Sequence, residues 1–271
     1  MNRGLAAKSI REVWATTVLL GLLVAAFEAL LAFIVLKFDQ GLFGQWLKLE
    51  MVQAAFKAML GSEVGEEIGP GVTASIAWVH PVVLALVWAE GILLCTRLPA
   101  GEVDRGTIDV LLGLPVTRAR IYLVECAVWL GCGLVVVGLG VVGNVIGALT
   151  APPESRTTFG NTVLVAVNLY ALYIAVAGVS CAVSSFSDRR GRAAGMVFGF
   201  LVASYLLNSL AQLWRPANSV GFLSLLNYYR PLPILREGVF PAADLVVLLG
   251  IGGLLWLAGG VIFAHRDICT V

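Results

Sequence analysis

Charged residues are scarce in this sequence. Only 13% of its 271 residues are charged and 59% are hydrophobic, whereas an ordinary soluble domain has about 25% charged and about 45–50% apolar residues. The 18 basic and 17 acidic residues nearly cancel, and they form no basic patch typical of nucleic-acid-binding proteins. The composition therefore excludes a soluble domain, gives no support to a nucleic-acid partner, and predicts a chain that lies mainly in membrane lipid.

Motifs for catalysis and metal binding are also missing. The two histidines and five cysteines form no CxxC pair and no group at ligand spacing, so we expect no metal or other cofactor in this chain. Without a GxxxxGK[ST] sequence it has no P-loop with which to bind ATP. The lack of GxSxG and HExxH leaves an intramembrane enzyme with little support. We predict a protein that is not itself an enzyme.

Long apolar runs dominate what is present. Spanning a bilayer takes about 20 mainly apolar residues, and a helix satisfies its own backbone there. Such runs predict an all-α, polytopic membrane protein with about six transmembrane helices in a single transmembrane domain, residues 1–271. The first run is too long for a signal peptide, so we expect a retained helix. The predicted spans cover residues 13–36, 73–96, 121–149, 161–186, 193–213 and 245–264.

Basic residues in the flanks predict the orientation. One side of the predicted membrane holds eleven Lys and Arg residues and the other holds seven, and the richer side is normally cytosolic. The tight basic turn at residues 188–192 strengthens this bias. We therefore expect both termini in the cytosol and the chain in the inner membrane of a bacterium.

Two segments are predicted to lie on the outer side. Residues 41–60 place Trp46, Leu49 and Phe56 near a helical period, which indicates an amphipathic helix. It either lies on the membrane surface or packs on neighbouring helices, and both interpretations stay open. Residues 214–244 contain four prolines and two adjacent tyrosines, which favour a run of short helices at the interface rather than another span.

The most informative stretch is residues 97–120, between the second and third spans. Pro99 and Gly101 end one helix, acidic residues suit the start of the next, and Gly113 with Pro115 stops it. On that helix Glu102, Arg105 and Asp109 share one polar stripe. An isolated helix this short is marginal in water, so we expect it to dock on a partner. The alternative is an ordinary solvated loop.

This stretch resembles a known family. The order Gly-Glu-x-x-Arg-Gly-Thr-x-Asp-x-Leu-Leu-x-Leu-Pro-Val-Thr-Arg-x-Arg, at residues 101–120, is similar to the cytosolic signature of type-2 ABC transporter permeases. It is particularly similar to the six-helix group that includes the nitrous-oxide-reductase maturation permease. The six-span layout, the outer amphipathic segment and the ending Phe263-Ala264-His265-Arg266-Asp267-Ile268 extend the resemblance.

The resemblance implies a function and partners. The chain would be the permease subunit of an ATP-binding-cassette exporter, paired with a second permease chain, identical or related, and with two copies of an ABC ATPase that binds ATP and Mg. Residues 97–120, called the coupling segment below, would sit in a cleft of that ATPase. A passive channel or scaffold and an intramembrane enzyme are the alternatives. The implied ATPase contacts are Glu102, Asp104, Arg105, Gly106, Thr107 and Asp109.

Three carboxylates fall inside predicted spans, and each is costly to place in hydrocarbon. Glu90 and Glu125 lie near the cytosolic boundary, where Arg97, Arg118 or Arg120 are expected to pair with them. The family that the chain resembles often has a lysine early in the third span, where this chain has Glu125 instead. Glu28 lies deeper and is the better candidate for lining a conduit.

Two backbone patterns complete the predictions. His80-Pro81 is expected to kink the second span, because proline removes a backbone donor. Small residues recur at Gly143-x-x-x-Gly147 and at Gly191, Gly195 and Gly199, a spacing that allows close helix approach. Packing within the chain and a seam between two permease chains are both open.

Overall fold

The computed structural model describes residues 3–37, 49–60, 70–153 and 156–267. Every regular element in these ranges is helical, and two short 3₁₀ turns lie at Gly221–Leu223 and Leu225–Tyr228. The α-helices are α1 Arg3–Lys37, α2 Glu50–Leu60, α3 Pro70–Val79, α4 Pro81–Cys95, α5 Glu102–Asp104, α6 Ile108–Leu112, α7 Arg118–Ala148, α8 Phe159–Phe186, α9 Arg190–Leu213, α10 Arg215–Asn218, α11 Pro231–Glu237 and α12 Ala242–His265.

Five of these helices are long and apolar enough to cross a membrane, and the bent pair α3–α4 makes a sixth span. The prediction of an all-α polytopic protein with about six spans is confirmed. The helices begin two to ten residues before the predicted apolar runs, most of all α1, which begins at Arg3 instead of residue 13, and their C-terminal ends agree with the prediction within one residue. The extra turns carry polar residues, among them Lys8 and Glu12, which form an i,i+4 ion pair at 3.4 Å.

The second span is broken at His80, as the sequence predicts. His80 adopts φ −59° and ψ 131°, because the ring of Pro81 disfavours the helical conformation in the residue before it. The His80 Nδ1 accepts a hydrogen bond from the Val82 N–H at 3.2 Å, so the imidazole caps α4. The two halves meet at 42°.

Helix α8 lies at the centre of the bundle. It contacts α4, α7, α9 and α12, and Leu169, Leu172 and Tyr173 are almost fully buried along it. The Tyr173 hydroxyl donates to the Trp129 carbonyl in α7 at 2.7 Å, which satisfies its polar group in the apolar core. The helix therefore packs against four of the other five spans.

Two glycine seams bring helices together. A Cβ on Gly143 of α7 would overlap the backbone of Ala25 in α1, and one on Gly147 would overlap Ala29. Gly178 of α8 meets Gly252 of α12 in the same way. Gly143 and Gly147 therefore serve helix packing within the chain. For these two residues, this answers the choice between packing within the chain and a seam between two chains.

The glycines of α9 behave differently. A Cβ on Gly191, Gly195 or Gly199 would meet no described atom within 4 Å. These residues do not join helices within the described ranges, and their role in a seam between two permease chains stays a prediction.

The two segments predicted to lie on the outer side form short helices. In α2 the side chains of Phe56 and Met59 pack against the core, and the helix contacts α9 and α3. This favours an element packed on its neighbours over one lying free on the membrane; residues 41–48 of the predicted segment lie outside the described residues. Between α9 and α12 the chain forms α10, the two 3₁₀ turns and α11, as its prolines predict.

We expect Gly143→Ala to destabilise the protein by about 1–3 kcal/mol, because the added methyl group must push α1 away from α7. Gly138→Ala is the matched control, since a Cβ on Gly138 of the same helix meets nothing within 4 Å. Thermal unfolding in detergent measures both. Equal midpoints for the two variants would contradict the tight α1–α7 seam.

Candidate coupling segment and intramembrane polar cluster

The coupling segment begins with an irregular turn that is held from inside the bundle. Residues Arg97–Gly101 are all buried. The Ser184 hydroxyl of α8 donates to the Leu98 carbonyl at 3.1 Å and accepts from the Ala100 N–H at 3.2 Å. These bonds satisfy backbone groups that no helix satisfies here. The base of the segment is thereby fixed to the central helix.

The prediction of one continuous helix in this segment is wrong. The structure has two short pieces, α5 and α6, separated at Gly106, which has φ +67°. The Gly106 N–H donates to the Val103 carbonyl and the Thr107 N–H donates to the Glu102 carbonyl, both at 3.0 Å. This pattern is a Schellman motif, which ends a helix with glycine in the left-handed region. Gly106 is the sequence signal that marks the break.

Three of the predicted contact residues bind one another. Glu102 is buried, and its carboxylate accepts from the Arg105 guanidinium at 2.7 Å and from the Thr107 hydroxyl. Asp104 accepts from the backbone N–H of Arg190, at the start of α9, at 3.2 Å. Glu102 is thus an internal anchor of the segment, and Asp104 links it to α9.

The exposed end of the segment is α6. Ile108 and Leu111 are buried, whereas Asp109 is exposed and Val110 is 75% exposed. Asp109 does not join the Glu102–Arg105 pair, because the break at Gly106 interrupts the predicted stripe. Val110 was not among the predicted site residues. Its position between two inward-facing residues of one helical turn is the signal that identifies it.

Glu125 belongs to an ion cluster that joins three spans. The Arg97 guanidinium, directly after α4, donates to Glu125 of α7 and to Glu12 of α1, and the Ser9 hydroxyl of α1 also donates to Glu125. Side-chain exposure is 8% for Arg97 and 16% for Glu125. Arg97 is one of the three arginines predicted to pair with Glu125, and this pairing is confirmed; Glu12 and Ser9 were missed. Ser9, Glu12, Arg97 and Glu125 are called the Arg97 cluster below.

The other two intramembrane carboxylates have neutral partners. Glu90 accepts from the Thr17 hydroxyl at 2.6 Å, and within the described residues no basic side chain pairs with it, so the expected arginine partner is wrong. Glu28 is fully buried and accepts from the Asn144 amide at 2.9 Å. A place for Glu28 in a conduit stays a prediction.

Arg118 has a different partner from the one expected. Its guanidinium donates to the carbonyls of Phe263 at 3.3 Å and Arg266 at 2.7 Å. Arg266 in turn donates to the carbonyls of Ser185 at 3.0 Å and Ser187 at 3.2 Å. These bonds tie the start of α7 and the end of α12 to the turn between α8 and α9.

A polar cavity of about 400 Å³ lies beside the coupling segment. Its walls come from α1, α4, the start of α9 and the segment itself. Arg97, Arg105 and Arg190 bring positive charge and Glu12 brings negative charge. The Arg190 guanidinium donates to the Leu93 carbonyl at 2.8 Å. The cavity therefore connects the segment with the membrane helices through polar groups.

Comparison with known families agrees with this architecture. The model of the ABC-2 family transporter proteins matches residues 7–267, nearly the whole chain, and the chain belongs to this family. Comparison with curated proteins yields no match.

Family membership and the apolar spans define the class of protein. It is a multi-pass transmembrane permease subunit of an ABC transporter, and such a subunit works with an ABC ATPase. The narrower resemblance to the nitrous-oxide-reductase maturation group stays a prediction.

We expect Arg97→Met to lower the free energy of unfolding by about 3 kcal/mol, because it leaves Glu125 without its cation in a poorly solvated site. Adding Glu125→Gln to this variant is expected to recover part of the loss, since the uncompensated charge is removed. Chemical denaturation in mixed micelles measures both. Arg189→Met, at an exposed arginine, is the control, and an equal loss there would contradict the role of the cluster.

Proposed function

We propose that this chain is the permease half of an exporter and that its coupling segment docks on a separate ABC ATPase. The assembly contains two permease chains, identical or related, and two ATPase copies. ATP and Mg bind to the ATPase subunits, and this chain carries out no hydrolysis of its own. The inner membrane of a bacterium is the proposed location, with the coupling segment in the cytosol.

The exposed end of the coupling segment is the observation that carries the proposal. Val110 is a large apolar residue at 75% exposure, beside exposed Asp109 on a helix too short to be stable alone. Ile108 and Leu111 fix this helix to the protein, so the outward face is held in one orientation. A rigid apolar residue next to a charge is the kind of feature that a partner's pocket accepts.

Contacts at the base of the segment provide a route for movement. Arg97 is both the first residue of the segment and the centre of the cluster that binds α1 and α7. Asp104 binds the start of α9. A shift of the docked segment therefore acts on α1, α4, α7 and α9 together. ATP-driven closure of the two ATPase subunits would act through these contacts and switch the permease between an inward-accessible and an outward-accessible state.

The polar cavity supports the proposal that the substrate path through the permease has a solvent-accessible end here. It lies between α1, α4 and α9 and is bordered by Arg105 of the segment. Ionisable groups inside membrane proteins commonly face water-filled spaces. In the proposed mechanism a movement of the segment changes the shape of this cavity, which couples access on one side to the ATPase.

The combined variant Val110→Glu, Asp109→Lys is expected to abolish co-purification of the ATPase from a neighbouring reading frame. Loss of an interface anchor typically costs about 2 kcal/mol or more, roughly a thirty-fold loss of affinity. Arg105 is left unchanged, because Arg105→Glu would place a second carboxylate beside Glu102 and disturb the segment itself. Affinity purification through a tag on the permease, followed by ATP hydrolysis measurements, checks the prediction.

Val239→Glu is the matched control, since Val239 is 52% exposed and lies in the loop between α11 and α12. This variant is expected to retain the ATPase in full. Both variants are expected to keep the thermal unfolding midpoint of the wild type. Loss of the ATPase would then reflect lost docking and not misfolding of the permease. Retention of the ATPase by the Val110 and Asp109 variant would refute the proposed docking surface.

A further inference from the structure

An apolar groove of about 390 Å³ lies between α1 and α7. It is as large as a typical small-ligand pocket. Ala6, Ile10 and Trp14 form its α1 side, and Ala127, Gly131 and Val135 form much of its α7 side. The groove is separate from the polar cavity and from the exposed end of the coupling segment.

The tight glycine seam between α1 and α7 does not extend to the groove. Near Gly143 the two helices are in direct backbone contact with no room for a Cβ, whereas a Cβ on Gly131 would meet nothing within 4 Å. Gly131 lies about 18 Å before Gly143 along a helix axis. Small side chains at Ala6, Ala127 and Gly131 leave the space between the two helices unfilled.

The wall of the groove presents almost no polar group. Thr17 lines it, but its hydroxyl donates to Glu90 inside the bundle at 2.6 Å. An apolar chain in the groove therefore leaves no polar group of Thr17 unsatisfied. Trp14, at 56% exposure, forms the rim, and tryptophan is enriched at the level of lipid headgroups.

Two arginines lie beside the groove: Arg11 falls between the lining residues Ile10 and Trp14 of α1, and Arg120 precedes the α7 wall. Arg120 lies seven residues before Ala127, and Arg11 lies three before Trp14 and seven before Val18, so each shares a helix stripe with groove residues. Both arginines are exposed, and no carboxylate among the described residues forms an ion pair with either. Their charge is therefore available to a ligand from outside the chain.

We propose that this groove binds one acyl chain of an anionic phospholipid whose phosphate lies between Arg11 and Arg120. A lipid tail gains little from leaving other tails, because the bilayer is as apolar as the groove. Selectivity must then come from the headgroup, and basic residues beside membrane helices attract anionic lipids. The inference requires only that α1 and α7 span a bilayer, and it does not depend on the ATPase.

Charge favours a lipid over a second copy of this chain. Two copies related by an axis along the membrane normal, joined through this face, would bring Arg11 and Arg120 against the same residues of the partner. Like charges at short range repel, and no acidic residue of the groove is present to compensate them. A phosphate supplies the missing negative charge.

Native mass spectrometry of the purified permease tests the proposal. The protein is titrated with phosphatidylglycerol and, separately, with phosphatidylcholine that has the same acyl chains. We expect at least a ten-fold preference for phosphatidylglycerol in the first binding step, since each arginine contributes roughly five-fold. Arg11→Ala combined with Arg120→Ala is expected to remove the preference. Gly131→Leu, which fills the groove, is expected to reduce this first step for both lipids.

Two controls match these variants. Arg189→Ala with Arg192→Ala removes two exposed charges at the start of α9 and should leave the preference intact. Gly138→Leu adds the same side chain at another open glycine of α7 and should leave binding intact. Equal binding of the two lipids by wild type, or equal losses in controls and test variants, would overturn the proposal. Gly131→Leu that dissociates a permease dimer while lipid binding persists would assign the groove to a second copy instead.

Discussion

The Arg97 guanidinium lies where α1, α4 and α7 meet, and the carboxylates of Glu12 and Glu125 share it. In a poorly solvated site a charge is tolerated only when it is paired, so each helix end is constrained by the others. Because Arg97 is also the first residue of the coupling segment, the same ion cluster fixes where that segment leaves the membrane helices. The positions of α5 and α6 depend on it.

Much of the fold was predictable, because the length of an apolar run is a strong signal for a membrane-spanning helix. All six spans were found, and the break at His80 followed from the ring of Pro81. The starts of the helices were less predictable, since apolar runs report the lipid-embedded part and not the polar turns beyond it. The start of α7 illustrates this: Thr117 caps the helix by accepting from the Arg120 N–H at 3.3 Å, outside the apolar run.

The site was predicted only in part, for a physical reason. The pairing of Glu125 with Arg97 followed from distance along the helices, but Glu90 and Glu28 found partners on other helices, Thr17 and Asn144, that no local pattern indicates. Likewise, Ser184 holds the base of the coupling segment from 84 and 86 positions away in the chain. The break at Gly106 was a local signal that helical periodicity alone overlooked.

The two-piece form of the coupling segment has a consequence for protein engineering. Helices of three and five residues have no intrinsic stability, so their shape is imposed by Ser184, by the N–H of Arg190 and by the burial of Ile108 and Leu111. Such a segment is not a portable module. Grafting residues 102–116 alone onto another permease would transfer the sequence of the proposed docking surface without its shape, and a functional chimera would need the supporting positions of α8 and α9 as well.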